Sequence, residues 1–339
     1  MYFLSDNTAT ACPEILEAIA QANQGVAKAY GEDDWTQRLD GVLSSYFGTA
    51  VRAFPVSTGT AANALSLATV SPPYGAVFAH EDAHIVRDEC GACEFFSGGA
   101  RVTSIAGING KLTADALQAV LDAAGTSVHQ LEPAAVSVTQ ATEFGTTYRP
   151  QELSALTEVA RRYKLRTHMD GARFANSVAV LNCHPGDITW RAGIDVLSFG
   201  ATKNGALNAE AVVFFNLDLI KDFERRRKRA GHLLSKSRYA SAQLLAYIQT
   251  GAWLRNAQRS NALAQQIAQV AAHRLLFPVE ANELFLKLGE RHKHTLRTAG
   301  FHFHDWRAAS RGDTRFVVSW DQPQDSVDAL CDALSKLVD

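Results

Sequence analysis

The chain has 339 residues, of which 47% are hydrophobic and 20% charged, and its formal net charge is −2. That length fits one large domain and a smaller one, and charges of both signs are interspersed, which argues against a nucleic-acid-binding surface or an acidic tail. No basic-then-apolar leader opens the chain and no apolar run reaches membrane-spanning length, so a cytoplasmic protein is expected.

Strand and helix signals alternate over the first two-thirds of the chain, the pattern of an α/β protein with a mostly parallel sheet. Pro13 to Asn23 reads as a helix with proline in its first turn. Arg52 to Ser57 reads as a strand that runs into Thr58-Gly59-Thr60, followed by an Ala/Leu-rich helix over Ala61 to Val70. Further strands are expected at 76–80, 101–105, 135–139, 165–169, 196–199 and 211–215, making about seven. Helices are expected near 113–123, 151–163 and 172–181, and the basic run Arg225 to Arg229 reads as a solvated helix face. From Ser241 the signal changes to two long helices, 241–253 and 256–274, then short strands near 283–288 and 314–320 and a last helix over 324–337. The expected division is therefore a large domain over 1–240 and a small C-terminal domain over 241–339.

The five cysteines are scattered and odd in number, against a disulfide framework. Cys90 and Cys93 form a CxxC without a second pair at zinc-ribbon spacing, so no metal is expected and both read as reduced core thiols.

Two segments carry most of the chemistry. Lys203 lies in Val196-Leu-Ser-Phe-Gly-Ala-Thr-Lys-Asn-Gly205, just past an apolar strand. Asp170 lies in Thr167-His-Met-Asp-Gly-Ala-Arg173, just past a neighbouring one. A lysine so placed can form an imine with an aldehyde, and an aspartate so placed can keep a pyridinium nitrogen protonated, the two needs of pyridoxal 5′-phosphate. Helix capping is the bland role for Asp170. Ser57-Thr-Gly-Thr-Ala-Ala-Asn63 sits at a strand-to-helix turn, where backbone N–H groups and the helix dipole favour a phosphate. Gly59 permits close backbone approach, while Thr58 and Thr60 add hydroxyls; plain capping is the alternative. His84 follows another strand and can stack on a planar ring or serve no purpose beyond the loop. Arg173 offers a planar fork to a carboxylate or ring oxygen.

These segments, with Ser5-Asp-Asn7, Ala29-Tyr-Gly-Glu-Asp-Asp34, Ala83-His84 and Asp88-Glu-Cys-Gly91, resemble the L-threonine aldolases over nearly the whole chain. The closest resemblance is to the low-specificity bacterial branch that includes phenylserine aldolases. It implies the pyridoxal-phosphate-dependent transferase fold (fold type I): a three-layer αβα large domain with a mostly parallel seven-stranded sheet, plus a smaller α+β C-terminal domain. It implies cleavage of L-threonine, L-allo-threonine or phenylserine to glycine and an aldehyde. Another reaction of the same cofactor on the same fold (β-elimination, racemisation or transamination) is the alternative. By resemblance Lys203 is the Schiff-base lysine, Asp170 the partner of the pyridine nitrogen, and His84 the stacking ring. Gly59 and Thr60, with Thr58, hold the phosphate. Ser5, Arg173 and Arg315 bind the substrate carboxylate, with Arg173 also near the cofactor. Family members are homotetramers with active sites between subunits, so Tyr30 and Arg238 are expected to reach the phosphate or substrate region of a neighbouring chain. His129 falls where a second active-site histidine often lies, and the general base is left among His84, His129 and water. Where some members carry Glu-Asn-Thr-His, this chain has Thr139-Gln-Ala-Thr142.

Overall fold

The structure, a computed structural model, describes residues 1–125, 127–306 and 312–337. Its strands are β1 (Arg52–Val56), β2 (Gly75–His80), β3 (Arg101–Ile105), β4 (Glu132–Thr139), β5 (Arg166–Gly171), β6 (Val196–Gly200), β7 (Glu210–Phe214), β8 (Glu283–Lys287), β9 (His304–Asp305) and β10 (Asp313–Val317). The first seven form one sheet in the order β1-β7-β6-β5-β4-β2-β3. β7 runs antiparallel to both its neighbours, and the remaining pairs are parallel. This is the mostly parallel seven-stranded sheet that the alternating pattern implies. β6 and β7 are buried at every position, as strands covered on both faces must be.

The helices are α1 (Pro13–Ala22), α2 (Asp34–Phe47), α3 (Gly59–Val70), α4 (His84–Arg87), α5 (Ala92–Ser97), α6 (Ala114–Ala123), α7 (Pro150–Arg162), α8 (Phe174–Leu181), α9 (Phe223–Arg229), α10 (Arg238–Gln249), α11 (Ala252–Val270), α12 (Glu290–Thr298) and α13 (Gln324–Ser335). Alternation along the strands sorts the core into two layers. On one face, Val56, Val196 and Val212 pack with Leu65 of α3, Ile85 of α4 and Phe223 of α9. On the other, Ala53, Met169, Leu197 and Val213 pack with Leu43 of α2, Leu156 of α7, Phe174 of α8 and Leu244 of α10. Two helical layers therefore sandwich the sheet.

α2 is a helix that the sequence reading did not anticipate. Its apolar stripe is narrow, Leu39, Leu43 and Phe47, set among polar residues. The caps were the better signal: Asp33 Oδ1 accepts from the Thr36 N–H at 2.8 Å, and Gly48 closes the helix at φ 69°. The expected break between the two long C-terminal helices also moves. It falls at Gly251, whose φ of 72° ends α10 a turn earlier than expected.

A second sheet has the order β8-β10-β9 and is antiparallel. Its core joins Leu263 and Ile267 of α11, Leu284, Phe316, Leu330 of α13 and Phe3 from the N-terminus. α10 packs instead against α1 and α2, and its Leu245 and Tyr247 belong to the large core. We therefore propose that the division between domains lies within α11 rather than at residue 240, and that the N-terminal segment around Phe3 belongs with the small domain. Among the described residues no helix is long and apolar enough to cross a membrane. All five cysteines are free; Cys93 is buried but Cys90 is exposed, so only one member of the CxxC is a core thiol.

Candidate active site

Ligands of open parallel sheets bind beyond the carboxyl ends of the strands. There a cavity of about 260 Å³ opens, lined by the segments that follow β1, β2, β4, β5 and β6. Each wall has its own chemistry.

The first wall is the start of α3. Thr58 is its N-cap, and its Oγ1 accepts from the Ala61 N–H at 3.1 Å. The N–H groups of Gly59 and Thr60, in the first turn, have no intrahelical acceptor and are available to an anion. A Cβ built on Gly59 would meet nothing within 4 Å, so open space lies over this turn. The Ser57 N–H donates to His232 Nδ1 at 3.4 Å, and burial, helped by the Arg227 charge, lowers the pKa of that imidazole. Thr202 also lines the cavity, and its Oγ1 is buried with no hydrogen-bond partner. Unspent donors at a helix N-terminus suit a phosphate group.

The second wall is a chain of polar side chains. Asp170 is buried near the end of β5. Its Oδ1 accepts from the Ala172 N–H at 3.0 Å and its Oδ2 from Asn63 Nδ2 at 2.8 Å. Asn63 Nδ2 also donates to Glu89 Oε1 at 2.8 Å, and the same oxygen bonds His84 Nδ1 at 2.8 Å. The sequence Asp170–Asn63–Glu89–His84 is thus one continuous network. The hydrogen bond to Glu89 raises the pKa of His84, while burial raises that of Glu89. Beneath Asp170, His168 is fully buried between the hydroxyls of Ser137 and Ser198, at 2.8 and 2.9 Å. Burial pushes that imidazole down to about 4, so it is neutral.

Lys203 projects from the short 3-10 turn Thr202–Asn204 that follows β6. Asn204 anchors the turn by donating to Tyr247 Oη at 2.6 Å and the Trp253 carbonyl at 2.8 Å, and Gly205 closes it at φ 113°. Among the described residues the Lys203 amine makes no hydrogen bond or ion pair, so it is free to react. Its charge nonetheless helps to hold Asp6, Glu210 and Glu283 ionised. Burial still pushes Glu210 up to about 7.

The third wall is cationic. Arg173 is gripped by Asp6 through two bonds, Nε to Oδ2 at 2.7 Å and Nη2 to Oδ1 at 3.0 Å. Its Nη1 lies 3.1 Å from Glu283 Oε2. Arg315 also acts on Glu283 and helps to keep it ionised. Arg315 stands behind Arg173 rather than among the lining residues: it stacks over Trp306 at 5.3 Å, its Nη2 donates to the Leu4 carbonyl at 3.4 Å, and its Nε is buried without a hydrogen-bond partner. A guanidinium held on one side by carboxylates keeps its remaining N–H groups for a ligand.

The chain's relatives agree with this chemistry. The profile of the beta-eliminating lyase family matches residues 2–290. The low specificity L-threonine aldolase of Pseudomonas aeruginosa is 43% identical over 94% of this chain and 92% of its own. The enzyme of the same name from a Pseudomonas sp. strain is 42% identical over 97% and 95%. This chain belongs to the threonine aldolases. The solved threonine aldolase of Leishmania major superposes with a TM-score of 0.93 at 25% identity, covering 100% of this chain and 99% of that one. The fold is accordingly that of the type I pyridoxal-phosphate enzymes. The residues in place fit that cofactor: unspent donors at the start of α3 for its phosphate, a buried carboxylate for its ring nitrogen, and a free amine for its aldehyde.

In this threonine aldolase the structure brings Lys203, Asp170, His84, Thr58, Gly59, Thr60 and Arg173 to one cavity. Ser5 stands beside it, capping the turn that presents Asp6. Tyr30 and Arg238 do not line it. Tyr30 is exposed, with Lys228 over its ring at 4.7 Å, and Arg238 donates to the Gly25 carbonyl at 3.2 Å. His129 does not belong to the cavity either. It is exposed in the loop that enters β4, and a parallel strand entered there carries the chain to the cavity only at its other end, Thr139. Within its own chain His129 therefore stands away from the cavity. Sequence reasoning missed Asp6, Asn63, Glu89, Glu143, Glu210 and Glu283. Asp6, Asn63 and Glu89 stood inside the quoted motifs, but Glu143 and Glu283 had no motif to mark them.

Asp6 gives a test of the cationic wall. Removing one partner from a buried pair leaves the other charge exposed to a poor solvent. Asp6→Ala is expected to cost roughly 3 kcal/mol of folding stability. Urea unfolding checks it, and an unchanged midpoint would show that Glu283 alone suffices for Arg173.

Proposed function

We propose that the protein cleaves L-threonine and related L-β-hydroxy-α-amino acids, phenylserine among them, to glycine and an aldehyde. What carries the reading is the juxtaposition of a free Lys203 with the network Asp170–Asn63–Glu89–His84 in one cavity. Bound pyridoxal phosphate supplies an electron sink for the carbon that becomes the glycine Cα. The protein supplies the rest. Gly59 and Thr60 N–H groups with Thr58 hold the phosphate. Asp170 keeps the ring nitrogen protonated, and the Asn63 amide fixes the orientation of its carboxylate. Lys203 holds the cofactor through its amine and yields that position to substrate. Arg173, braced by Asp6 and Glu283, binds the substrate carboxylate with Arg315. By fixing the carboxylate, Arg173 and Arg315 would orient the substrate and so select which bond at its Cα the cofactor weakens. His84 covers the ring, kept upright by Glu89.

Tyr30 and Arg238, remote from this chain's own cavity, fit an assembly in which each completes a neighbour's site. On this reading the protein is a cytoplasmic homotetramer with sites shared between subunits. Incubation with threonine, allo-threonine and phenylserine diastereomers tests the activity. Glycine and aldehyde in equal amounts support it. A keto acid with ammonia would identify a β-eliminating enzyme instead.

A further inference from the structure

The cavity holds a carboxylate to which the reading above gives no task. Glu143 lies in the turn after β4 and lines the cavity together with Asp170, His84 and Arg173. The turn is held at several points. The Gln140 N–H donates to the Asp170 carbonyl at 2.8 Å. The Gln140 side chain bonds both the carbonyl and the N–H of Tyr148, at 3.0 and 2.9 Å. Thr142 Oγ1 bonds Thr146 Oγ1 at 2.8 Å, and that hydroxyl also lies 2.6 Å from the Asn109 carbonyl. On this rigid support Glu143 Oε1 accepts from the His84 backbone N–H at 2.7 Å. Its Oε2 is buried and has no hydrogen-bond partner.

The other carboxylates of the cavity are committed. Asp170 is bonded through both oxygens, Glu89 serves Asn63 and His84, and Glu210 accepts from the Thr202 N–H. Among these four, only Glu143 has a carboxylate oxygen that is buried without a hydrogen-bond partner. It touches the residue that covers the ring, and it is near enough to Arg173 to influence its charge. It thus lines the cavity beside both His84, assigned to the ring, and Arg173, assigned to the substrate carboxylate.

We infer that Glu143 is the general base that takes the β-hydroxyl proton during cleavage. This rests on the aldolase reading above. The proton passes from the β-oxygen to Glu143 Oε2. The electrons of that O–H bond become the second bond of the aldehyde carbonyl. The Cα–Cβ bond breaks, and its pair stays on the carbon that becomes the glycine Cα. Glu143 then carries a proton it can return to water or to product. No oxidant or further reactant is needed.

The titration of Glu143 suits this work. Burial, with the Asp170 charge beside it, pushes its carboxyl from 4.5 up to about 7, where a group both accepts and releases protons readily. The groups that face it are Asp170 on β5, His84 at the start of α4, Arg173 before α8 and the Tyr148 phenol. Because the folded value lies above the unfolded one, the folded state binds the extra proton. Stability is therefore lost as pH rises from about 4.5 through about 7. An amide at this position would still accept from the His84 N–H and would not ionise.

The test compares Glu143→Gln with the wild type, both loaded with cofactor. Glycine release from threonine should fall by about two to four orders of magnitude, while glycine binding and exchange of its α-hydrogen with solvent deuterium stay within about threefold. Without cofactor, E143Q should melt several degrees above the wild type at pH 8 and level with it at pH 4.5. Undiminished cleavage by E143Q would overturn the assignment. So would parallel loss of cleavage and exchange, which would make Glu143 a support for the cofactor, or a melting difference independent of pH. A wild type that releases no glycine from any β-hydroxy amino acid would instead sink the aldolase reading itself.

Discussion

Lys203→Ala is expected to yield a folded protein that attaches no pyridoxal phosphate covalently and cleaves threonine slower by several orders of magnitude. The fold should survive, because among the described residues the Lys203 side chain makes no hydrogen bond or ion pair, and its turn is anchored by Asn204. The cost is electrostatic and local. The Lys203 charge helps to keep Asp6, Glu210 and Glu283 ionised. Without it each carboxyl titrates higher, most visibly Glu210, already pushed up to about 7 by burial. Borohydride reduction followed by mass analysis checks the attachment: the wild type should gain the cofactor's mass on the peptide carrying residue 203, and the variant should gain none. Cofactor mass trapped on a different lysine, or normal turnover by Lys203→Ala, would defeat the assignment.

How much of this was legible in the sequence depends on whether the information is local. β3 spans the expected residues, because the β-branched Val102, Thr103 and Ile105 lie between the glycines at 98–99 and 107, a strand bounded by turn residues. Lys203, Asp170 and Gly59 were legible for a related reason. Each lies at or just past the carboxyl end of a strand, and such ends gather at one edge. By the same rule His129, which precedes its strand, falls at the opposite edge of its own chain's sheet. Glu143 was invisible because its role depends on a contact with the His84 backbone, 59 residues away, and on burial that no pattern within Thr139 to Gly145 reveals. Asp6 and Glu283 illustrate this further: they meet at Arg173 although 277 positions separate them, and only folding shows that this arginine arrives already paired. α2 is hard to read from periodicity because its buried stripe is only Leu39, Leu43 and Phe47, and its caps, Asp33 and Gly48, mark it better.

Asp170→Asn is expected to lower the cleavage rate by about two to three orders of magnitude, the usual cost of removing one preorganised charge from a site. Two effects combine. The neutral amide no longer favours a protonated ring nitrogen, so the ring draws electrons less strongly. The second effect is in the network. Asp170 Oδ1 accepts from the Ala172 N–H and Oδ2 from Asn63 Nδ2, so both positions call for an acceptor. An amide has one acceptor, and its NH2 must face a donor on one side or the other. Asn63 cannot accommodate it by flipping, because its NH2 also serves Glu89, and the flip would leave Glu89 short of a donor and unsettle the bond to His84. A buried donor or acceptor left unmade costs about 1–3 kcal/mol. Asn63→Ala, alone and combined with Asp170→Asn, separates the two effects. If the charge dominates, Asn63→Ala retains most activity and the double variant falls no further than Asp170→Asn. If the network dominates, Asn63→Ala alone reproduces the loss. Cleavage at the wild-type rate by Asp170→Asn would rule out a pyridinium partner at this position.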